Sequence, residues 1–486
     1  MLPPLISRPR GTRNEDPRSK ERGVTLALVA AALVAMIAMA ALSIDIGTLY
    51  QAKAEAQRAA DAAALAAARV ISISGITGDP NNTAGSWQPT CGGASSNATL
   101  TANAVAQVQW NFVGGITVPP PTVNYGTGAG SADCSTLVGS SFSVNPIVTV
   151  TVTQTNLPLF FAPIFGLVGG TFSSASVSAT ATAEVYNPSG SGALASGMVP
   201  VWPRCVKPWI VPDHDPVVHA GCPAPCKFVN PDGTITTPGT TLGTPSGVIG
   251  ETFNLVADCA SSGNCNSSMA PPQPGFSNPP GINVSTAATP NLQYLPSYVQ
   301  NPSPAASTCV AGGDDYQQAI AGCDNTTPYQ CGVPFGGATS TQVNLNENPF
   351  GAAGDTATAA QCLIQYGNAA ATGGQDSLLT NSFPFQIQSG TANPIFGSGV
   401  SSPSLISSSD SIVSLPIYDS SGLLAAGQTP DVTVVGFLQV FINGVNADGS
   451  LSVTVMNVAG CSNTSTSASP FVTGTSPVPI RLITPP

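Results

Sequence analysis

The sequence predicts an α+β protein. A single N-terminal transmembrane helix continues into a long helix over a small sheet, and a disulfide-linked, mainly β region follows. Three observations predict this. Residues 23–44 are 22 consecutive positions without a charged side chain, and Tyr50 to Val70 then runs without glycine or proline. Beyond that stretch the chain turns glycine- and proline-rich, with 50 and 45 of its 486 residues, and only 8% of the whole is charged. Short segments there alternate apolar and polar side chains at period two, which is the strand signature.

Residues 1–22 are read as a cytoplasmic basic tail. They hold six basic side chains (Arg8, Arg10, Arg13, Arg18, Lys20, Arg22) against three acidic ones. Excess positive charge stays on the cytoplasmic side, so the tail predicts an N-in orientation in the inner or plasma membrane, with the C-terminal part periplasmic or extracellular. Residues 23–46 are read as the transmembrane helix, since about 20 apolar residues cross the hydrocarbon core. Ala38-Met39-Ala40 has the small-x-small form of a signal-peptidase site, but the apolar run exceeds the usual ~7–15 residues, so a retained single-pass anchor is expected.

Alanine is the best helix former, so the membrane helix is expected to run on to about Ile71. Glu55 and Asp61 stand three positions from Arg58 and can pair with it on one face. The small side chains between Ala59 and Ala68 suggest close packing, on the chain's own sheet or against a partner's helix.

This stretch resembles the N-terminal segment of TadE/TadG-like Flp pilus-assembly proteins. The carrying residues are Arg22 and Gly23 before the apolar run, Asp45 and Gly47 at its exit, Tyr50, and Gln57 leading to Ala60, Asp61, Ala63, Ala64 and Leu65. True pilins carry glutamate five positions after the glycine; here Leu28 stands there. The chain therefore resembles the uncleaved TadG-like members more than a pilus subunit. The resemblance implies other pilus-assembly or secretion proteins as partners. Some relatives carry a von Willebrand A-type domain with an Asp-x-Ser-x-Ser metal motif, which neither Asp410-Ser411-Ile412 nor Asp419-Ser420-Ser421-Gly422 matches.

Residues 47–188 are expected to form a pilin-like helix-on-sheet domain. A short helix is read at Leu100–Phe112, and strands at Val118–Asn124, Ile147–Gln154 and Phe172–Tyr186. The apolar loop Leu157–Gly170 is expected to cover the core, or else to form a membrane-touching or partner-binding patch. Asn187–Gly197 has linker composition. Residues 198–486 are read as a mainly β extracytoplasmic domain, with strands at Ile249–Val256, Val413–Tyr418, Val432–Asn443 and Leu451–Val458. The last two are joined by a turn at Asp448-Gly449. Helices are expected at Asp315–Ala321 and Thr356–Tyr366.

All 12 cysteines lie beyond residue 90: Cys91, Cys134, Cys205, Cys222, Cys226, Cys259, Cys265, Cys309, Cys323, Cys331, Cys362 and Cys461. An even count in an exported composition predicts disulfides. Past residue 70 there are four basic and 18 acidic side chains, a net of −14. Such a surface cannot neutralise phosphates, which excludes nucleic acid as a partner.

The two histidines, His214 and His219, share fourteen positions with Asp213, Asp215, Cys222 and Cys226. Zinc uses such ligands. The spacing His-x4-His-x2-Cys-x3-Cys fits no established motif, and oxidised cysteines are not thiolate ligands, so disulfides with surface histidines are the expected reading. No G-x-S-x-G elbow or phosphate-binding glycine loop occurs. The expectation is a non-catalytic protein of Tad/Flp-type pilus assembly or surface attachment, without cofactor, metal or small-molecule substrate. The alternative is a membrane-tethered exported hydrolase or metal-binding protein, the latter using His214, His219, Cys222 and Cys226.

Overall fold

The computed structural model describes residues 18–73, 97–107, 112–126, 147–161, 174–185, 201–217, 219, 226–230, 235–236, 247–257, 282–283, 290–299, 308–327, 329, 341–344, 347, 353–365, 373–380, 385–394, 403–406, 408–419, 431–461, 472–474 and 476–483. It opens with α1, Arg18–Ser72. Within its apolar half the hydroxyls turn back on the helix. Ser43 Oγ donates to the Met39 carbonyl (2.8 Å) and Thr48 Oγ1 to that of Asp45 (2.8 Å), so both hydroxyls are satisfied within the helix.

The first layer comprises α2 (Asn97–Ala106), β1 (Thr122–Tyr125), β2 (Ile147–Pro158) and β3 (Ser174–Val185). The expected helix at Leu100–Phe112 begins earlier and ends at Ala106. The expected strand at Val118 starts only at Thr122, because Pro119–Pro121 offer no N–H to a ladder.

Next come β4 (Val201–Pro203), β5 (Trp209–Pro212), β6 (Thr252–Ala257), β7 (Ile282–Asn283) and β8 (Asn291–Pro296). They are followed by α3 (Asp315–Ala321), β9 (Thr341–Gln342), α4 (Asp355–Ile364), β10 (Ser377–Leu379), β11 (Gln386–Gln388) and β12 (Leu405–Ile406). The chain ends through β13 (Ile412–Tyr418), β14 (Asp431–Val432), β15 (Val434–Val445), β16 (Leu451–Gly460), β17 (Val472–Gly474) and β18 (Ile480–Ile483).

The first sheet is antiparallel, in the order β1-β2-β3-β18. Its alternation follows the sequence. Val148, Val150 and Val152 point into the core, while Thr149, Thr151 and Thr153 pair outward with Thr182, Thr180 and Ser178 at 3.1, 3.0 and 3.0 Å. The second half of α1 and the short α2 pack on the inner face. Ala52, Ala56, Ala59, Ala60, Ala63, Ala64, Ala67 and Ala68 are buried there, against Ala179, Ala181 and Ala183 of β3. Recurrence every three to four residues puts these methyls on one stripe, and small side chains on both surfaces let helix and sheet approach closely.

The distal sheet runs β5-β13-β15-β16-β6-β8-β7, and β5 also pairs with β8. Six of its strands therefore close into a ring, which removes open edges. Its core holds Trp209, Phe253, Tyr294 and Phe441. The β15–β16 connection turns at Asp448-Gly449 as expected. Gly449 has φ +87°, Asn446 N–H reaches the Ser450 carbonyl (2.8 Å), and Asp448 Oδ1 accepts from Ser450 N–H (3.0 Å) and Oγ (2.7 Å).

Cys205 is bonded to Cys323 and Cys309 to Cys362; Cys226 and Cys461 are disulfide-bonded too, so no described cysteine is free. The linker read at Asn187–Gly197 lies outside the described residues, as do Cys91, Cys134, Cys222, Cys259, Cys265 and Cys331.

Candidate functional site

The surface of α1 changes character within two turns. Val24, Leu26, Leu28, Val34, Met36, Ile44 and Ile46 are exposed, and the buried stripe starts at Ala52. Asp45 is the exception within the exposed half, at 2% exposure. Its Oδ1 accepts the backbone N–H of Phe160 (2.9 Å), and its Oδ2 that of Phe161 (3.0 Å). The two amides at the end of β2 are thus satisfied by the helix at the point where its apolar run ends. Leu157 is buried beside them and Phe160 is 63% exposed. The rest of the apolar loop, 162–170, lies outside the described residues.

Past Asp45 the helix is tied to the sheet turn by turn. Lys53 Nζ donates to the Ser178 carbonyl, and Gln57 Nε2 to the Thr180 carbonyl (3.2 Å) and Asp61 Oδ1 (2.8 Å). One helical turn climbs about 6 Å over four residues, and two strand residues span about 6.6 Å, so successive contacts fall on alternate residues of β3. The expected pairing of Glu55 and Asp61 with Arg58 gives way to these bonds. Glu55 instead accepts the Gly114 N–H (2.8 Å) and Gln51 Nε2 (3.0 Å). Gly114 stands at φ +61°, where a Cβ would meet Leu157 at 2.5 Å, so glycine is required there.

A second constellation lies in the distal unit. Asp215 and His219 follow β5, and Glu251 leads into β6 from the turn Val248–Gly250. His219 Nε2 is 2.7 Å from Asp215 Oδ2 and 2.9 Å from Glu251 Oε1, with all three side chains essentially sealed from solvent. Neither Glu251 oxygen has a hydrogen-bond partner. Burial, and then the adjacent Asp215, push the Glu251 carboxyl up to about 9.

Residues 23–70 match the family model described as putative Flp pilus-assembly TadE/G-like. The segment is TadE/G-like. No curated protein and no solved structure matches the chain. Within the TadE/G-like segment the structure gives each resembling residue a place. Asp45 holds the end of β2, Gly47 and Tyr50 are exposed at the exit, and Gln57 and Asp61 bond each other beside β3. Ala60, Ala63 and Ala64 form the buried stripe, with Leu65 partly buried at its edge. Arg22 and Gly23 are helical.

Cys226 is disulfide-bonded and offers no thiolate, and Cys222 lies outside the described residues. The histidines expected at the surface are buried instead, at 6% for His214 and 2% for His219, in a segment whose Asp215 N–H donates to the Cys226 carbonyl (2.8 Å). Burial, with Lys227 next in effect, lowers His214 to about 4, so its imidazole is neutral. Asp213 accepts the N–H groups of Phe228 (3.0 Å) and Val229 (2.9 Å), a backbone-fastening role. Glu251 was missed by sequence reading. Its signal was a lone carboxylate inside an otherwise uncharged strand segment, Ile249–Val256.

Elsewhere, carboxylates serve turns and helix ends. Asp314 caps α3 through Gln317 N–H (2.8 Å), and Asp324 accepts from Thr326 N–H (2.7 Å) and Oγ1 (2.8 Å). Lys207 is buried with Nζ 2.6 Å from the carbonyls of both Ile320 and Gly322 at the C-terminus of α3, where its charge meets the negative helix end.

Proposed function

We propose that the protein is a single-pass, N-in membrane component of Tad/Flp-type pilus assembly or surface attachment, with residues 47–486 outside the membrane and no catalytic role. The observation that carries this reading is the two-faced TadE/G-like helix. Its first half is apolar and exposed over a span long enough to cross a bilayer, and its second half is buried against the chain's own sheet. A helix with both surfaces couples an extracytoplasmic fold rigidly to the membrane. In this reading the helix-on-sheet layer of residues 47–188 is pilin-like in plan. The exposed Tyr50 lies at headgroup level, where aromatic rings favour the interface. The acidic remainder, 198–486, presents the surface that meets other pilus-assembly or secretion proteins.

Carbonate extraction and protease protection of cells expressing the full chain test the topology. We expect the protein to stay in the pellet, with the distal unit cleaved from outside and residues 1–22 protected. A mature soluble protein beginning at Ala41 would refute the anchor. Co-purification of pilus-assembly proteins with the full chain, lost when the TadE/G-like segment is exchanged for an unrelated membrane helix, tests the assembly role.

A further inference from the structure

In the cluster after β5, one ring nitrogen faces two buried carboxylates. Nε2 of His219 carries at most one hydrogen, and the 2.7 Å contact to Asp215 takes it. Glu251 Oε1 is 2.9 Å from the same nitrogen, yet both Glu251 oxygens lack a hydrogen-bond partner while the side chain is 1% exposed. No lysine or arginine pairs with Asp215 or Glu251 among the described residues, and the neighbouring Lys227 pairs with Asp213 at 3.7 Å. Two carboxylates and one imidazole thus converge with their donor atoms all within 4.8 Å of one another.

We propose that Asp215, His219 and Glu251 form a buried structural site for a zinc-type divalent cation, bound by His219 Nε2, an Asp215 oxygen and the Glu251 carboxylate. The charge balance is compatible with it. A divalent ion cancels two carboxylates and takes a neutral imidazole, so the buried cluster carries no net charge with the ion in place. The donors support it as well. Imidazole with carboxylate suits zinc, while calcium and magnesium prefer all-oxygen sets of six or more. Tetrahedral zinc bonds of about 2.0–2.2 Å set donors about 3.4 Å apart, so the two His219 contacts open by about half an ångström or slightly more. Closure from solvent marks the site as structural, since catalytic zinc keeps an open position. The ion would clamp the segment after β5 to the start of β6, two strands that flank β8 in the closed ring. This inference does not depend on the pilus reading.

The test uses the full chain in detergent, treated with chelator and then titrated with zinc. Metal content, thermal unfolding and zinc-edge X-ray absorption are recorded. We expect one tightly held zinc per chain, a melting temperature that falls on chelation and recovers with zinc, and a shell of nitrogen and oxygen with one imidazole. Glu251→Gln keeps the side-chain shape and should weaken zinc binding by more than about 100-fold, beyond the loss from an outer-shell change. His214→Asn should leave binding unchanged. Failure of the wild-type chain to bind zinc more tightly than Glu251→Gln overturns the proposal. So does a sulfur-containing shell, and the absorption measurement decides this on wild-type protein even if a variant misfolds.

Discussion

Asp45 accepts the backbone N–H of Phe160 at 2.9 Å, across 115 residues of sequence. The same carboxylate ends the uncharged run of α1, so the end of that run and the end of β2 are one fixed point. Replacing Asp45 with alanine leaves the amides of Phe160 and Phe161 without their acceptor. We expect a loss of about 1–3 kcal/mol in the layer formed by α1 and its sheet, with partitioning of the apolar helix unchanged. Limited proteolysis should reveal new cutting near Pro158–Phe161; an unaltered digestion pattern would show that the contact contributes nothing.

The buried alanine stripe predicts a periodic response to bulk. Ala63→Leu and Ala64→Leu place extra methyl groups between α1 and β3, and each should cost about 1–3 kcal/mol. Ala54, which is exposed, should accept leucine without effect. A leucine scan through Ala59–Ala68 read by thermal unfolding checks this. Uniform tolerance would mean the helix is only a spacer.

Lys207 predicts a pH dependence. Burial lowers its amine from 10.5 to about 8, partly offset by Asp410 and Asp324. The folded chain therefore releases this proton earlier than the unfolded chain. Between about pH 8 and 10.5 the unfolded state binds more protons, so stability rises with pH in that window, by up to about 3 kcal/mol. Below about pH 8 both states are protonated and the contribution is flat. Urea midpoints across this range should differ in slope between the native chain and Lys207→Met, and identical slopes would contradict the assignment.

Non-reducing peptide mapping should recover Cys205 joined to Cys323 and Cys309 joined to Cys362. The Cys309→Ser/Cys362→Ser double variant should lose about 2–5 kcal/mol, because the link tethers α4 to the turn preceding α3. Recovery of either cysteine as a free thiol in exported protein would break this prediction.

What the sequence determined by itself was local. α1 follows from an alanine-rich run without breakers, β2 from the Val/Thr alternation of residues 147–153, and the β15–β16 hairpin from Asp448-Gly449. Each is dictated by a residue's own steric preference and by which side it buries. The TadE/G-like character of residues 23–70 was legible for the same reason, because its residues act at fixed short spacing. Tertiary structure alone decided the rest. Arg481 of β18 meets Glu184 of β3 at 2.8 Å, 297 residues away, so the last described strand completes the sheet that packs against α1. Pairing of β5 with β8 closes the distal ring, and the segment after β5 is fastened to Cys226–Val229, with two histidines expected at the surface buried. Glu251 joins His219 only because β6 enters the same ring. Such meetings depend on how whole layers pack, and periodicity within any one segment carries no record of its distant neighbour.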